Sequence, residues 1–365
     1  MILMNDFTAE PRALRDAMLA ATARVIDSGW YVLGQEVKGF EQSWARRSGC
    51  AHGVGVGNGM DAIEIGLRAL DIGPGDEVIT TCMTAFATTL AILRCGANPV
   101  LADIDADTAH LDMDSVTRCI SPRTKAVLLV HLYGQMADMG AWQAFCSRHG
   151  IALLEDCAQA HLAEWKARPA GSFGAFGAYS FYPTKNLGGV GDGGMLVTQD
   201  AALAEKAASL RNYGQSVRYH HPLLGMNSRL DELQAALLGE RLKWLDEFTT
   251  RRRAVAQAYH QGIDHRAVRP LPRPIEASSH VYHLFVVTSP RRDALAAHLA
   301  AHGVQSHIHY PVPAHHQEPC RSLRRDPAGL LVAEAHAASC LSLPCHPGLS
   351  DQDLRIVIDA VNSFS

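Results

Sequence analysis

The stretch HGVGVGNGMDAIEIGLRALDIGPGDEVIT, residues 52–80, reads as a short apolar strand, a tight glycine turn, an amphipathic helix and a second strand. The same alternation runs on through ATTLAILRCG, PVLADID, KAVLLVHLYG, WQAFCSRHG and IALLEDC, to about residue 200. Short apolar runs alternating with helical periodicity predict an α/β fold, a mostly parallel sheet wrapped by crossover helices. In such sheets functional groups collect beyond the carboxyl ends of the strands. After Tyr213 the texture changes to one long helical pattern, residues 228–262, followed by the Pro-rich linker RPLPRP, Arg269 to Pro274. Strand-like HVYHLFVV, helix-like RRDALAAHLAAHG, VQSHIHYP and a last helix complete the chain. This predicts a large domain over residues 1–245, including N-terminal helices, and a smaller α+β domain over 246–365, hinged by the long helix.

The glycines of residues 53–59 invite a dinucleotide reading, but the spacing G-x-G-x-x-G fails: from Gly53 the last position is Asn58, and from Gly55 it is Met60. What remains is a helix start whose backbone N–H groups at Gly59, Met60 and Asp61 can seat a phosphate. An ordinary strand-to-helix turn explains the same residues.

Two further segments carry chemistry. LLEDCAQAH places Glu155 and Asp156 at the carboxyl end of an apolar strand, where a carboxylate either caps a helix or faces a cation in the cleft. SFYPTKNLGGVGDGG, residues 180–194, confines Lys185 between an aromatic run and a glycine-rich turn. Successive elements of one sheet can bring Asp156 and Lys185 to the same pocket. A confined amine, a carboxylate and a phosphate seat fit pyridoxal 5'-phosphate: the lysine binds it covalently, the carboxylate keeps the ring nitrogen protonated, and the helix start takes the phosphate.

Composition sets the outer bounds. The chain has 365 residues, 47% apolar and 19% charged, with 33 basic against 37 acidic side chains, so nothing advertises a polyanion and no nucleic-acid partner is expected. Nine scattered cysteines without a C-x-x-C pair fit reduced thiols in a cytoplasm. The opening MILMNDFTAEPRALRD lacks a basic n-region and a long apolar run, so no secretory leader is expected, and the greasiest stretch is interrupted by Arg94, Asn98 and Pro99, so no membrane span is expected either.

In family order, GNGMDAIEIGLRALDIGPGDEVI, GANPVLADID, VHLYGQMADM, EDCAQAH, GSFGAFGAYSFYPTKNLGGVGDGG, LRNYGQ, MNSRLDELQAALL, HIHYPVPAHHQ and LSLPCHPGLSD resemble motifs of the vitamin B6-dependent nucleotide-sugar aminotransferases of the DegT/DnrJ/StrS type. The resemblance covers nearly the whole chain and implies the aspartate aminotransferase fold, that is, PLP-dependent transferase fold type I. It implies that Lys185 carries the cofactor and shuttles the proton, and that Asp156 pairs with the ring nitrogen. Gln159 would bond the ring oxygen and Phe86 would stack on the ring. The phosphate would sit on the backbone of Gly59, Met60 and Asp61, on Ser180, and on Asn227 supplied by a partner subunit, which makes a homodimer with shared sites. Tyr182, His309 and Tyr310 would line the sugar cleft.

The implied reaction moves an amino group from L-glutamate, through pyridoxamine 5'-phosphate, to a nucleotide-linked keto-deoxyhexose. The motifs are closer to members acting at carbon 3 of 3-keto-6-deoxy sugars, dTDP-linked, than to those acting at carbon 4. A non-catalytic sensor that keeps the fold is the rival from another class. His307 and His309 share a strand face, yet no carboxylate or thiolate lies nearby in sequence, so no metal is expected. Three positions depart from the family pattern: Leu162 and Ala167 stand where glycine is common, so the loop from His161 to Gly171 is expected to take another path, and Met83 stands where asparagine is frequent.

Overall fold

The structure is a computed structural model that describes residues 1–365. Its centre is a seven-stranded sheet. The strands are β1 (His52–Val56), β2 (Glu77–Thr81), β3 (Asn98–Ala102), β4 (Thr124–Val130), β5 (Ala152–Asp156), β8 (Gly177–Ser180) and β9 (Gly194–Thr198), in the order β1-β9-β8-β5-β4-β2-β3. Between β5 and β8 a two-residue hairpin intervenes, β6 (Glu164–Trp165) with β7 (Arg168–Pro169). Only β9 runs against its neighbours, so the sheet is mostly parallel and mixed.

The strands read as unbroken apolar runs because both faces are covered. Val127 and Leu129 of β4 join one core with Phe40, Trp44 and Leu238. Ala126 and Leu128 between them join a second core with Ile63, Leu67 and Phe176 on the other face. The helices are α1 (Arg12–Ser28), α2 (Gln35–Arg47), α3 (Gly59–Ala69), α4 (Phe86–Arg94), α5 (Met113–Cys119), α6 (Met139–His149), α7 (Ala201–Leu210) and α8 (Glu232–Leu242), continuing with α9 (Leu245–Gly262), α10 (Arg292–Ala301), α11 (Leu331–Ser339) and α12 (Asp351–Asn362). None is long and apolar enough to cross a membrane.

A second sheet, β10 (Arg269–Pro270), β11 (Phe285–Thr288) and β12 (Cys340–Leu343), is antiparallel and packs on α9 and α12. The first residues of the Pro-rich linker thus form an edge strand, a place where proline is tolerated because no ladder donor is needed there. An apolar seam joins the two sheets: Cys82, Met83, Leu101, Val130 and Tyr133 meet Leu284, Val286 and Cys340.

Two expectations change. The long helical pattern is broken between α8 and α9, where Lys243 N–H and Trp244 N–H bond carbonyls three residues back. The break lets α8 face the first sheet's core while Val255, Ala256 and Tyr259 of α9 face the second's. The extreme N-terminus also leaves the unit to which sequence assigns it: Ile2 N–H bonds Gly303 O, and Gln305 N–H bonds Ile2 O.

Candidate active site

Parallel pairing sets the C-terminal ends of β5, β8 and β1 along one edge of the sheet, and β9 starts there. The α3 start, Asp156, Gln159, Ser180 and Lys185 lie on that edge or in the segments that follow its strands, whereas Phe86 begins α4 after β2 and Asn227 lies between α7 and α8. The helix α3 begins two residues beyond β1, with Asn58 as its cap. Gly59 is required, since a Cβ there would stand 2.7 Å from Ser180 Cβ. Gly194 is required for the same reason, because a Cβ would meet the Asn58 carbonyl at 2.3 Å. The helix start, the β8 end and the β9 start are therefore in backbone contact.

The first four N–H groups of a helix have no partner inside it. Here Asn58 Oδ1 accepts Asp61 N–H at 2.9 Å and Asn58 O accepts Ala62 N–H, which leaves Gly59 and Met60 to face an anion. This corrects the expectation for Asp61: its amide is committed to the cap, and its carboxylate accepts the Ser228 hydroxyl at 2.7 Å. Ser180 lies alongside, its Oγ approached by Tyr182 N–H at 3.3 Å. Asn227, next to Ser228, is exposed and makes no side-chain hydrogen bond within the chain.

Asp156 ends β5 and is buried. Its Oδ2 accepts the Thr88 hydroxyl at 2.8 Å, and its Oδ1 accepts Ala158 N–H at 3.1 Å. Thr88 in turn lies 2.9 Å from the Thr84 hydroxyl. Thr88 is a candidate positioning residue that sequence reasoning missed. The signal was its place two residues after Phe86, in the first turn of α4.

Burial pushes the Asp156 carboxyl above its ordinary value, while the Ala158 N–H, the Thr88 hydroxyl and the Lys185 charge oppose the rise. Burial holds the Lys185 ammonium down at about 8, opposed by Asp156. Each charge thus steadies the other in a place where neither is well solvated.

The Lys185 turn is fixed at both ends. Lys185 N–H bonds Tyr182 O at 2.8 Å, Gly189 N–H bonds Phe181 O at 2.7 Å, and Gly188 packs so close to the Pro183 carbonyl that a Cβ would overlap it at 2.2 Å. Asn186, the next residue, donates from Nδ2 to Val281 O and places its Oδ1 3.3 Å from His283 Nδ1, tying the turn to the segment before β11. His161 is buried against Trp44, Tyr179 and Phe181 with neither ring nitrogen partnered, and burial together with the Lys185 charge holds it down at about 3, so it is neutral.

Gln159 bridges the two sheets. Its Oε1 accepts Tyr133 N–H at 2.6 Å, and its Nε2 donates to the Tyr310 hydroxyl at 3.1 Å. Tyr133 then donates its hydroxyl to His309 O at 2.6 Å and lies 2.8 Å from His336 Nε2. Burial pushes Tyr310 up to about 12 and His309 down to about 4; His309 Nδ1 meets the Ser342 hydroxyl at 2.9 Å. Tyr182, by contrast, is 52% exposed at the rim.

The family departures resolve differently from expectation. Leu162 and Ala167 adopt φ of 66° and 60° themselves, so the backbone keeps the left-handed conformation that glycine would favour. Lys166 and Ala167, with φ of 49° and 60°, form the two-residue turn between β6 and β7. Met83 is fully buried in the seam between the sheets.

Residues 13–362 match the DegT/DnrJ/EryC1/StrS aminotransferase family. The chain belongs to that family. Among its relatives, a dTDP-3-amino-3,4,6-trideoxy-alpha-D-glucose transaminase of Streptomyces venezuelae is 45% identical over 361 residues, 99% of this chain and 95% of the relative. A pleiotropic regulatory protein of Geobacillus stearothermophilus is 42% identical over 364 residues, 99% of this chain and 98% of the relative. The crystal structure of S. venezuelae DesV in complex with a ketimine intermediate superimposes with a TM-score of 0.95 at 44% identity, over 99% of this chain and 97% of that one. Like its relatives this DegT-family aminotransferase has the mostly parallel sheet of the PLP-dependent transferases, and its half-buried amine, buried carboxylate and two free amides fit that cofactor.

Proposed function

We propose that the protein transfers the amino group of L-glutamate to the keto carbon of a nucleoside-diphosphate-linked deoxyhexose, with pyridoxal 5'-phosphate as cofactor and a dTDP-linked 3-keto-6-deoxyhexose as acceptor. The observation that carries this reading is the conjunction of half-buried Lys185, the buried Asp156 whose charge acts on it, and the free amides of Gly59 and Met60 at the start of α3. The transaminase name of a relative 45% identical over 361 residues supports the sugar-nucleotide class and carbon 3. When bound, the cofactor supplies an electron-withdrawing ring that stabilises negative charge on the carbon losing its proton.

The chain does the rest. Lys185 Nζ, held at about 8, takes the α-proton of the donor and returns a proton on the acceptor side close to neutral pH. Asp156 would hold a proton at the cofactor's ring nitrogen, and the Thr88 hydroxyl, donating to its Oδ2, favours the ionised carboxylate. The amides of Gly59 and Met60 with the Ser180 hydroxyl would hold the phosphate, and Phe86 and Gln159 would hold the ring. Tyr182, His309 and Tyr310 orient the sugar. His309 serves as a neutral hydrogen-bonding group, since its value of about 4 keeps it uncharged at working pH.

The site takes Asn227 from a second copy of the chain, so the working form is a homodimer. Exposed apolar side chains support a covered face: Tyr31, Val32 and Val190 lie beside the start of α8, and Tyr213 and Leu224 flank the Asn227 segment. The nine cysteines, all buried and unpaired, support a cytoplasmic setting.

The decisive experiment follows the absorbance of cofactor-loaded protein on adding L-glutamate. Conversion of the yellow form to the amine form, absent in Lys185→Ala, is the expected result. A chromophore indifferent to every amino acid would favour a regulatory role, which the name of the Geobacillus relative keeps in view. Turnover of a panel of 3-keto and 4-keto sugar nucleotides, with products read by mass and proton coupling, then assigns the carbon.

A further inference from the structure

We propose that His315, His316 and Glu334 form a binding site for a zinc-class divalent cation, apart from the Lys185 pocket. The sequence gives the histidines of SHIHYPVPAHH no carboxylate on a shared element. The fold supplies one: Glu334, in the first turn of α11, lies against the short turn Ala314–His316.

Both imidazoles approach the same oxygen. His315 Nε2 is 3.0 Å and His316 Nε2 is 3.6 Å from Glu334 Oε1, and the three ligand atoms all lie within 4.8 Å of one another. A tetrahedral ion with bonds of about 2.0–2.1 Å sets its ligand atoms about 3.3 Å apart, so these separations bracket what such an ion requires. A single His315–Glu334 hydrogen bond accounts for the first distance and leaves the convergence of the second ring unexplained.

The His315 side chain is 2% exposed and fixed, whereas His316 at 54% and Glu334 at 40% leave the outer side open to solvent, where water can complete the shell. Two neutral nitrogens and one carboxylate form a ligand set of borderline softness, suited to zinc, cobalt or nickel rather than calcium or magnesium.

The chain's other convergent group, His131, Glu155 and Cys157, is built differently. Glu155 is wholly buried and its oxygens accept N–H groups from Gly171, Phe173 and Gly174 as well as His131, so it is saturated as a loop anchor. Glu334 has no backbone donor of that kind.

A cation at His315, His316 and Glu334 would act as a clamp. Ala314 N–H bonds Cys82 O just beyond β2, and α11 also carries His336, the partner of the Tyr133 hydroxyl. Binding would therefore tie the seam between the sheets without touching the reacting groups.

The test uses tag-free, cofactor-loaded protein titrated with Zn2+ against a chromophoric chelator, with Co2+ as a spectroscopic probe. The expected result is one equivalent bound per chain at micromolar affinity or tighter. Cobalt should show tetrahedral d–d bands without thiolate charge transfer, and saturating zinc should raise the melting temperature by about 2–4 °C. His316→Leu and Glu334→Gln should each weaken binding at least about 10-fold and abolish the thermal shift, with transaminase activity retained. Glu334→Gln keeps an acceptor for His315 and so keeps the fold. No tight equivalent in the parent protein, or parent-like binding in both variants, would overturn the proposal.

Discussion

At the scale of single residues, the proposed function turns on Lys185 and Asp156. A lysine in water is protonated far above neutral pH and is a poor nucleophile; burial brings Lys185 down to about 8. Covalent loading of apo-protein with pyridoxal phosphate should therefore speed up with pH through a midpoint near 8 rather than near the ordinary lysine value of 10.5, as read by stopped-flow absorbance. The sign for stability follows from the same shift. Between about 8 and 10.5 the unfolded chain holds a proton that the folded apo-protein has released, so apo-protein stability should rise with pH across that window.

Thr88 sits on the opposite side of the pair. Thr88→Val removes the hydroxyl that Asp156 Oδ2 accepts, leaves a buried carboxylate short of a donor, and should lower kcat about 10-fold with little change in the KM for glutamate. An unchanged kcat would mean that Ala158 N–H alone holds the carboxylate. Tyr133→Phe should act differently, since its hydroxyl bonds His309 O and His336 rather than Asp156 or Lys185. Its expected signature is a rise in sugar-nucleotide KM with the glutamate half-reaction intact, measured separately by single-turnover absorbance.

At the scale of elements, the chain was readable where one local pattern has one structural solution. β5 ends at Asp156, where an apolar run meets two carboxylates at the carboxyl end of a parallel strand, the place where functional groups collect. The start of α3 was readable from Asn58 and the glycines, but the fate of the Asp61 amide was not. Asn58 can cap Asp61 or leave it to a ligand, and only the finished turn shows which donor is spent.

The break between α8 and α9 was hidden for another reason. Helical periodicity persists through Lys243 and Trp244, and the change of partner from one core to the other is a tertiary matter. Glu334 beside His315 was hidden likewise, since spacing along the chain says nothing about which helix returns to a given turn.

The β6–β7 hairpin offers a clean test of local strain. Ala167 is exposed and holds φ at 60°, a conformation costing an L-residue about 1–2 kcal/mol that glycine does not incur. Ala167→Gly should stabilise the protein by about 0.5–1 kcal/mol after the added unfolded-state entropy is deducted, measured by denaturant unfolding of holoenzyme. A destabilised variant would show that the turn is held by contacts of the Ala167 methyl.

At the scale of the whole molecule, the proposed dimer makes a quantitative statement. Lys185 and Asn227 would belong to different copies of the chain at any one site. Lys185→Ala and Asn227→Asp proteins should each be nearly inactive, the first for want of the amine and the second because it sets a negative charge against the phosphate. Mixed and re-equilibrated in equal parts, they should regain about a quarter of parent activity, because half of the randomly paired dimers carry one intact site of two. A mixture as inactive as its components would place Asn227 in its own chain's site.

The hydrogen bond from Asn186 to Val281 gives the proposed attachment point, Lys185, a neighbour in the other lobe. Anchoring a coenzyme one residue away is thus a mechanical act as well as a chemical one: it stiffens a crossbeam between the halves of the molecule. Vitamin depletion should accordingly register far from the vitamin, as faster deuterium uptake along residues 281–284, before any global loss of structure.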